Sequence, residues 1–304
     1  LDSNTALRVA YVGSFGYHGF VSVDPNTTPA QICNTAAGCR SGTIPQGAQY
    51  IPTGGRPNPY LSAGFFWYSE GNSSYNSLQA DISRRFSRGL QFRGNFTWSR
   101  SLDNNSALTG AQGNNQAQMI LDRNDLHRDW GPSALNAKFQ SSLSVRYDLP
   151  WGFQINGIAS LLSGFPFTPQ IGSNRSADGD TRNPDRPSLN PAFSGPVILG
   201  QPNQYFNPNA FIQPAAGTYG NLGRGVYYGP ALADVDLSLF KNIRLRERAD
   251  LQFRGEVFNV ANHPNFASPN PIVFANNAIS SSAGLITSTV TSSRQVQFGL
   301  KLIF

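Results

Sequence analysis

The last ten residues, Gln295–Phe304 (QVQFGLKLIF), set the strictest limit on what the chain can fold into. Val296, Phe298, Leu300, Leu302 and Phe304 fall on one face of an extended backbone. Gln295, Gln297, Gly299 and Lys301 fall on the other, with Ile303 the one apolar exception. A repeat of two residues belongs to a β-strand. A length of about ten residues suits a tilted strand that crosses a bilayer.

Seven earlier segments share the design. They are Thr5–Gly13, Tyr75–Phe86, Leu90–Ser99, Lys138–Leu149, Phe153–Leu162, Asp234–Phe240 and Ala249–Val257. In Leu90–Ser99 the alternation has no fault: Leu90, Phe92, Gly94, Phe96 and Trp98 oppose Gln91, Arg93, Asn95, Thr97 and Ser99. In Tyr75–Phe86 one face reads Leu78, Ala80, Ile82 and Phe86, broken only by Arg84 near the strand end, where a long side chain can snorkel. The links after Phe86, Leu149 and Phe240 are short, the last a basic turn around Ile243–Glu247. Those after Gly13, Ser99, Leu162 and Val260 are long. The two kinds alternate strictly, so all short links lie at one end of the sheet and all long ones at the other. Short turns at one rim and long loops at the other are the layout of outer-membrane barrels. The longest link, about Phe165–Gly229, reads as irregular throughout, and so does Ser14–Ser74. Within the latter, Phe65–Tyr68 suits either a strand extension or an interfacial anchor.

Composition agrees. Of 304 residues, 51 are Gly or Pro, and no stretch sustains a helical apolar stripe. No run of eighteen apolar residues exists, so a helical span is excluded while a strand span is not. The net charge of +6 is scattered in short clusters such as Arg84–Arg85 and Arg244, Arg246 and Arg248. It lacks the basic, aromatic-lined groove that nucleic-acid binding needs. Cys33 and Cys39 lie in a loop-like stretch. Their spacing suits a small disulfide-closed loop in an oxidising compartment, with two free thiols or a metal site as the other readings.

Alternation alone does not say which face is wet, since a soluble lipocalin-like barrel alternates with its apolar face inward. Three features place the apolar face outside. Charges of both signs sit deep in the strands, at Arg93, Arg146, Asp236, Arg254 and Glu256, as in a hydrated lumen. Gly94, Gly157, Ala159 and Gly255 leave the apolar face small in places, which lipid tolerates. Tyr11, Trp98, Tyr147, Trp151, Phe153 and Phe304 lie near strand ends, where interface girdles belong. The expected lumen-facing set is Arg93, Asn95, Gln140, Arg146, Asn156, Asp236, Gln252, Arg254, Glu256 and Lys301. The fold class is all-β: an antiparallel transmembrane β-barrel segment of about eight up-and-down strands with long extracellular loops and short periplasmic turns. Long polar side chains inside and very long loops suit a segment of a wide barrel better than a closed eight-strand one.

Several stretches, in order along nearly the whole chain, resemble the barrel of TonB-dependent outer-membrane receptors of the Oar-like type. They are Tyr75–Asn104, Arg146–Pro150 (RYDLP), Asp185–Pro187 (DRP), Phe206–Phe211 (FNPNAF), Tyr219–Gly225 (YGNLGRG), Leu251–Phe266 and the terminal strand. The sequence departs from the family pattern at Asn136-Ala137-Lys138-Phe139, where an Asp-Val-Arg-His-like stretch is common. The resemblance implies a barrel of about twenty-two strands, of which 1–304 would be the carboxy-terminal portion. The plug, TonB box and amino-terminal domain would then lie outside it. It also implies uptake of a ligand in the bacterial outer membrane with TonB-supplied energy, and a terminal strand read by the barrel-assembly machinery. A non-transporting structural or adhesive barrel, or a soluble secreted β-protein, are the alternatives.

Catalytic motifs are weak. Ser238–Lys241 fits Ser-x-x-Lys but lies along a strand without supporting motifs. Gly220–Gly225 is glycine-rich but opens no helix. Asp178-Gly179-Asp180 resembles part of a calcium loop without its spaced carboxylates. His18, His127 and His263 are far apart. The expectation is no enzyme, no cofactor and no metal.

Overall fold

A computed structural model describes residues 2–104, 120–180, 185–246, 249–275 and 277–304. Eight strands form its wall: β1 (Thr5–Val23), β2 (Phe66–Ser87), β3 (Leu90–Asp103), β4 (Phe139–Asp148), β5 (Phe153–Leu162), β6 (Leu232–Arg246), β7 (Ala249–Phe258) and β8 (Gln295–Ile303). Each pairs antiparallel with the next in the chain, an up-and-down meander. Among the described residues, β1 and β8 each keep one edge unpaired.

The register carries the alternation across the whole wall. One row reads Phe92, Val145, Gly157, Leu237, Val257 and Val296 from β3 to β8. Another reads Leu7, Ile82, Gly94, Leu143, Ala159 and Val235 from β1 to β6. Directly paired residues point to the same side of a sheet, so these rows make one apolar face. It is exposed: Leu7 is 54% accessible, Leu237 43% and Leu300 63%. Of the small residues on this face, Gly157, Ala159 and Gly255 stay partly exposed. Gly94 is buried, with Ile82 and Leu143 closing over it. Ser141 also lies on this face, and its Oγ donates to the Asn95 carbonyl at 2.9 Å.

The buried apolar side chains lie in and beside the long connections instead. Phe167, Ile171, Phe206, Phe211, Val273 and Phe274 form one core from the third and fourth connections. Val21, Val23 and Ile120, with Tyr68 and Leu126, form a smaller one between the tips of β1 and β2 and the second connection. The molecule is thus apolar outside at the wall and apolar inside in its loop layer. Only a lipid environment makes the first arrangement stable.

Four expectations need correction. The stretch Ser14–Ser74 is not irregular throughout, because β1 and β2 run 19 and 22 residues against 9 to 15 for the other wall strands. Phe66–Tyr68 is a strand extension, paired with Val21–Val23. The register shifts between Gly16 and Phe20, with His18 at φ 58°, and this breaks the period of two. Gly19 and Gly71 pass there so closely that a Cβ on Gly71 would lie 2.7 Å from the Gly19 carbonyl. Next, β6 continues through Arg246, so the basic turn is strand up to that point. Glu247 and Arg248 lie outside the described residues. Third, Phe86 leaves the apolar face: the bulge between Arg84 and Ser87 turns its ring toward the polar side, where Arg146 sits 5.3 Å above it. Fourth, the Phe165–Gly229 connection has its own short pairings, among them Tyr227–Tyr228 with Pro166–Phe167 and Ser188–Leu189 with Phe211–Ile212.

Leu143→Arg, near the middle of the apolar face, is expected to cost about 2–4 kcal/mol in the full-length protein, while Ser142→Arg on the opposite face costs about 1 or less. Folding into lipid vesicles at increasing denaturant measures both, and equal costs would place lipid on neither face selectively.

Candidate functional site: the polar face and the loop layer

All ten residues expected to face a lumen share one side of the sheet. One row runs Gln91, Arg146, Asn156, Ser238, Glu256 and Gln297. A second runs Ser83, Arg93, Ser144, Ile158 and Asp236. Asn95 joins Asp81 and Ser142, Gln140 joins Thr97 and Leu162, Arg254 joins Phe240 and Gly299, and Gln252 joins Asn242 and Lys301. Ile158, Leu162 and Phe240 are apolar members of this polar face that alternation by itself did not predict.

Polar side chains on this face bond to one another. Asn95 Nδ2 donates to Ser142 Oγ at 2.7 Å, and Asn156 Nδ2 to Ser238 Oγ at 3.2 Å. Arg254 Nε donates to Gln252 Oε1 at 2.6 Å, and Gln252 Nε2 to Asn242 Oδ1 at 2.7 Å. Arg146 grips Asp148 with two bonds of 3.0 Å. The guanidinium of Arg254 also lies 5.0 Å above the Phe240 ring. Asp236 accepts the backbone N–H of Asn259 at 2.9 Å, tying the start of the fourth connection to β6. A face of amides, hydroxyls and charges of both signs can hold water and polar solutes along its length.

Beyond the long-connection rim, buried charges lock the loops together. Arg186 and Asp129 are both almost fully buried, and Arg186 Nη2 donates to Asp129 Oδ1 at 2.6 Å. Arg186 Nη1 donates to the Arg128 carbonyl at 2.8 Å. Arg224 Nε donates to the Asp129 carbonyl at 2.7 Å, and its Nη2 meets the Asp103 carboxylate. Two buried arginines of the third connection therefore clamp the second connection and the end of β3. The first connection joins through Arg56, which pairs with Asp24 at 2.8 Å and reaches the Gly179 carbonyl. Cys33 and Cys39 are joined by a disulfide within that connection, with an S–S distance of 2.10 Å.

Two short motifs of the sequence carry this clamp. In YGNLGRG, Gly220 packs so tightly that a Cβ there would collide with the Arg186 carbonyl, Tyr219 lies under Arg128 at 5.2 Å, and Arg224 is the clamp itself. DRP supplies Asp185 and Arg186. Of the other candidates, Ser238 faces the polar side bonded to Asn156, while Lys241 faces the apolar side at the short-turn rim, 4.3 Å above the Phe153 ring. His18 lies in the β1 bulge, His127 in a short 3-10 turn (Leu126–Asp129), and His263 beside Asn265, so they do not meet. Among the described residues no group of histidine, cysteine or acidic side chains is arranged to hold a metal.

Asp178, Asp180 and Asp185 are buried close together: the Ser176 N–H donates to the Asp185 carboxylate, and the Asp180 N–H donates to Asp178 Oδ1 at 2.8 Å. Loss of hydration, helped by their mutual repulsion, raises the Asp178 carboxyl to about 7; burial raises Asp185 to about 6. Burial pulls the Arg186 guanidinium down from its usual range.

The sequence matches the family model described as Outer membrane beta barrel domain over residues 1–297. It matches no curated protein. Among solved structures it is similar to the crystal structure of the outer membrane transporter YddB from Escherichia coli, with a TM-score of 0.48 and 12% identity. The alignment covers 100% of this chain and 31% of that one, so this chain spans less than a third of the transporter's length.

Arg186→Ala leaves the Asp129 carboxylate buried without its partner and should destabilise the loop layer locally by about 3–5 kcal/mol. Hydrogen exchange of the second and third connections reads this, with the wall strands unchanged. A carboxyl whose folded pKa is raised binds a proton that the unfolded chain has released, so stability falls as pH rises between the two values. Exchange around Asn174–Asp180, corrected for the intrinsic rate, should therefore speed up from pH 4 to pH 7. Asp178→Asn should flatten that response.

Proposed function

The chain belongs to the outer membrane beta barrel domain family and lies in the bacterial outer membrane; from that premise we propose that it forms the carboxy-terminal portion of a TonB-dependent receptor barrel that takes up a ligand. In the full protein a plug, a TonB box and an amino-terminal domain complete it. The polar rows line the passage, and the loop layer receives the ligand at the cell surface. Energy comes from the inner-membrane TonB complex acting on the plug. The terminal strand, Gln295–Phe304, is the segment that the barrel-assembly machinery engages.

The observation that carries this reading is the largely polar face that runs from β2 to β8, interrupted only at a few places such as Ile158, Leu162 and Phe240, and roofed at the long-loop end by connections that are clamped rather than loose. A small closed barrel fills its interior with side chains. Here, among the described residues, the sheet keeps two free edges, which lipid does not tolerate, and further strands would satisfy them. The role is receptor and passage; no catalytic group is invoked.

The test uses the full-length gene in its native membrane. Cross-linking between TonB and the receptor's amino-terminal segment is expected. Accumulation of a labelled siderophore, glycan or peptide is expected to stop when a protonophore collapses the inner-membrane gradient. Undiminished uptake under the protonophore, or a reading frame without plug and TonB box, would count against TonB-driven transport and favour a structural or adhesive surface barrel.

A further inference from the structure

We propose that the outer wall carries a binding site for a phosphorylated glycolipid of the outer leaflet, at the long-loop end of strands β1 to β4. An apolar row crosses these four strands there: Tyr11, Leu78, Trp98 and Phe139 are paired. The next row toward the cell surface, on the same face, is Gly13, Asn76 and Arg100. Beyond it the face carries Phe15, Ser74 and Leu102, so a polar and cationic row is set between aromatic and apolar ones, as suits the depth at which lipid headgroups begin.

A groove of about 310 Å³ opens at this step. Tyr11, Leu78, Trp98 and Leu102 give it an apolar floor, and Asn76, Arg100, Asn136, Lys138 and Tyr228 supply its polar members. The aromatic members are held in place. Tyr11 donates its hydroxyl proton to Asn76 Oδ1 at 2.6 Å, and Asn136 Nδ2 donates to the Tyr228 hydroxyl at 2.9 Å. Lys138 Nζ stands 4.4 Å above the Tyr228 ring. Among the described residues, neither Arg100 nor Lys138 forms an ion pair with a carboxylate, whereas Arg56, Arg84, Arg146, Arg186 and Arg224 all do.

Charge and shape together select the occupant. Two cations without carboxylate partners at headgroup depth attract a phosphate, and arginine and lysine both bind it by charge-assisted hydrogen bonds. Asn76, whose Oδ1 accepts from Tyr11 and whose Nδ2 donates to Ser74 at 3.3 Å, keeps a second N–H for a sugar hydroxyl. Below the groove the face continues through Val9, Ala80 and Phe96, a paired strip on which acyl chains can lie. A free anion would use the cations but leave the exposed Trp98 and Tyr11 rings uncovered. A neutral lipid would cover the rings but leave the cations unanswered. An acylated, phosphorylated sugar answers both.

The experiment takes the full-length protein, delipidated in mild detergent, and measures binding of purified lipid A by native mass spectrometry and by Trp emission. Phosphorylated lipid A should bind and shift the emission. Its dephosphorylated form, and the Arg100→Gln, Lys138→Gln double variant with intact lipid A, should each bind about thirtyfold more weakly, the loss expected for two cation contacts at a membrane surface. Lys241→Gln, a cation on the same face at the opposite rim, should leave binding unchanged. Equal binding of the two lipids would overturn the proposal, as would full binding by the double variant or complete competition by inorganic phosphate. Should the double variant not assemble, the comparison of the two lipids on the unmodified protein decides.

Discussion

Everything in this molecule depends on strand register. A strand repeats every two residues, so a slip of one residue in any pairing would turn that strand's apolar set toward water and its charges toward lipid. The register of seven successive pairings is kept throughout the wall, and every shift lies outside its middle. The bulge in β1 lies toward the long-loop end, where strict alternation is no longer needed. The bulges after Arg84 and Arg244 lie beside the short turns. Irregularity is admitted only where the side chains have left the hydrocarbon.

The wall was legible in the sequence for the same reason. Lipid on one side and water on the other impose a period of two on each strand, and the pattern survives in Leu90–Ser99 and Gln295–Phe304 almost without fault. The ten residues expected on the polar side fall on one face because parity within a strand, together with in-register pairing, determines the face. What parity could not tell was where strands stop. Above the membrane β1 and β2 meet water and the loop layer in place of lipid, so Gly16–Gly19 and Glu70–Ser74 need not alternate, and they read as loop. Nor could parity find Phe86 on the polar side, since a bulge shifts parity by one.

The loop layer was far less legible. Its fasteners lie far apart in sequence, Asp103 with Arg224 and Asp129 with Arg186, and no period links them. Short motifs marked the places without stating the purpose. FNPNAF delivers Phe206 and Phe211 to the core, edge to face at 5.9 Å. In the stretch after Leu251, Asn265 is fully buried; its Oδ1 accepts from the Ala233 N–H at 2.8 Å and its Nδ2 donates to Thr291. Such residues look like ordinary turn formers until the partner segment is in view.

Placing the apolar core in the loops, away from the wall, gives the protein two stabilities that answer to different solvents. The core around Phe167 and Val273 is held by the reluctance of water to surround hydrocarbon, and it weakens on cooling and in urea. The wall faces hydrocarbon already. It is held by backbone hydrogen bonds that have no competitor in lipid, and it fails when lipid is withdrawn. Cold or urea therefore strikes the roof first and withdrawal of lipid strikes the wall first, so one chain answers to two solvents in two places.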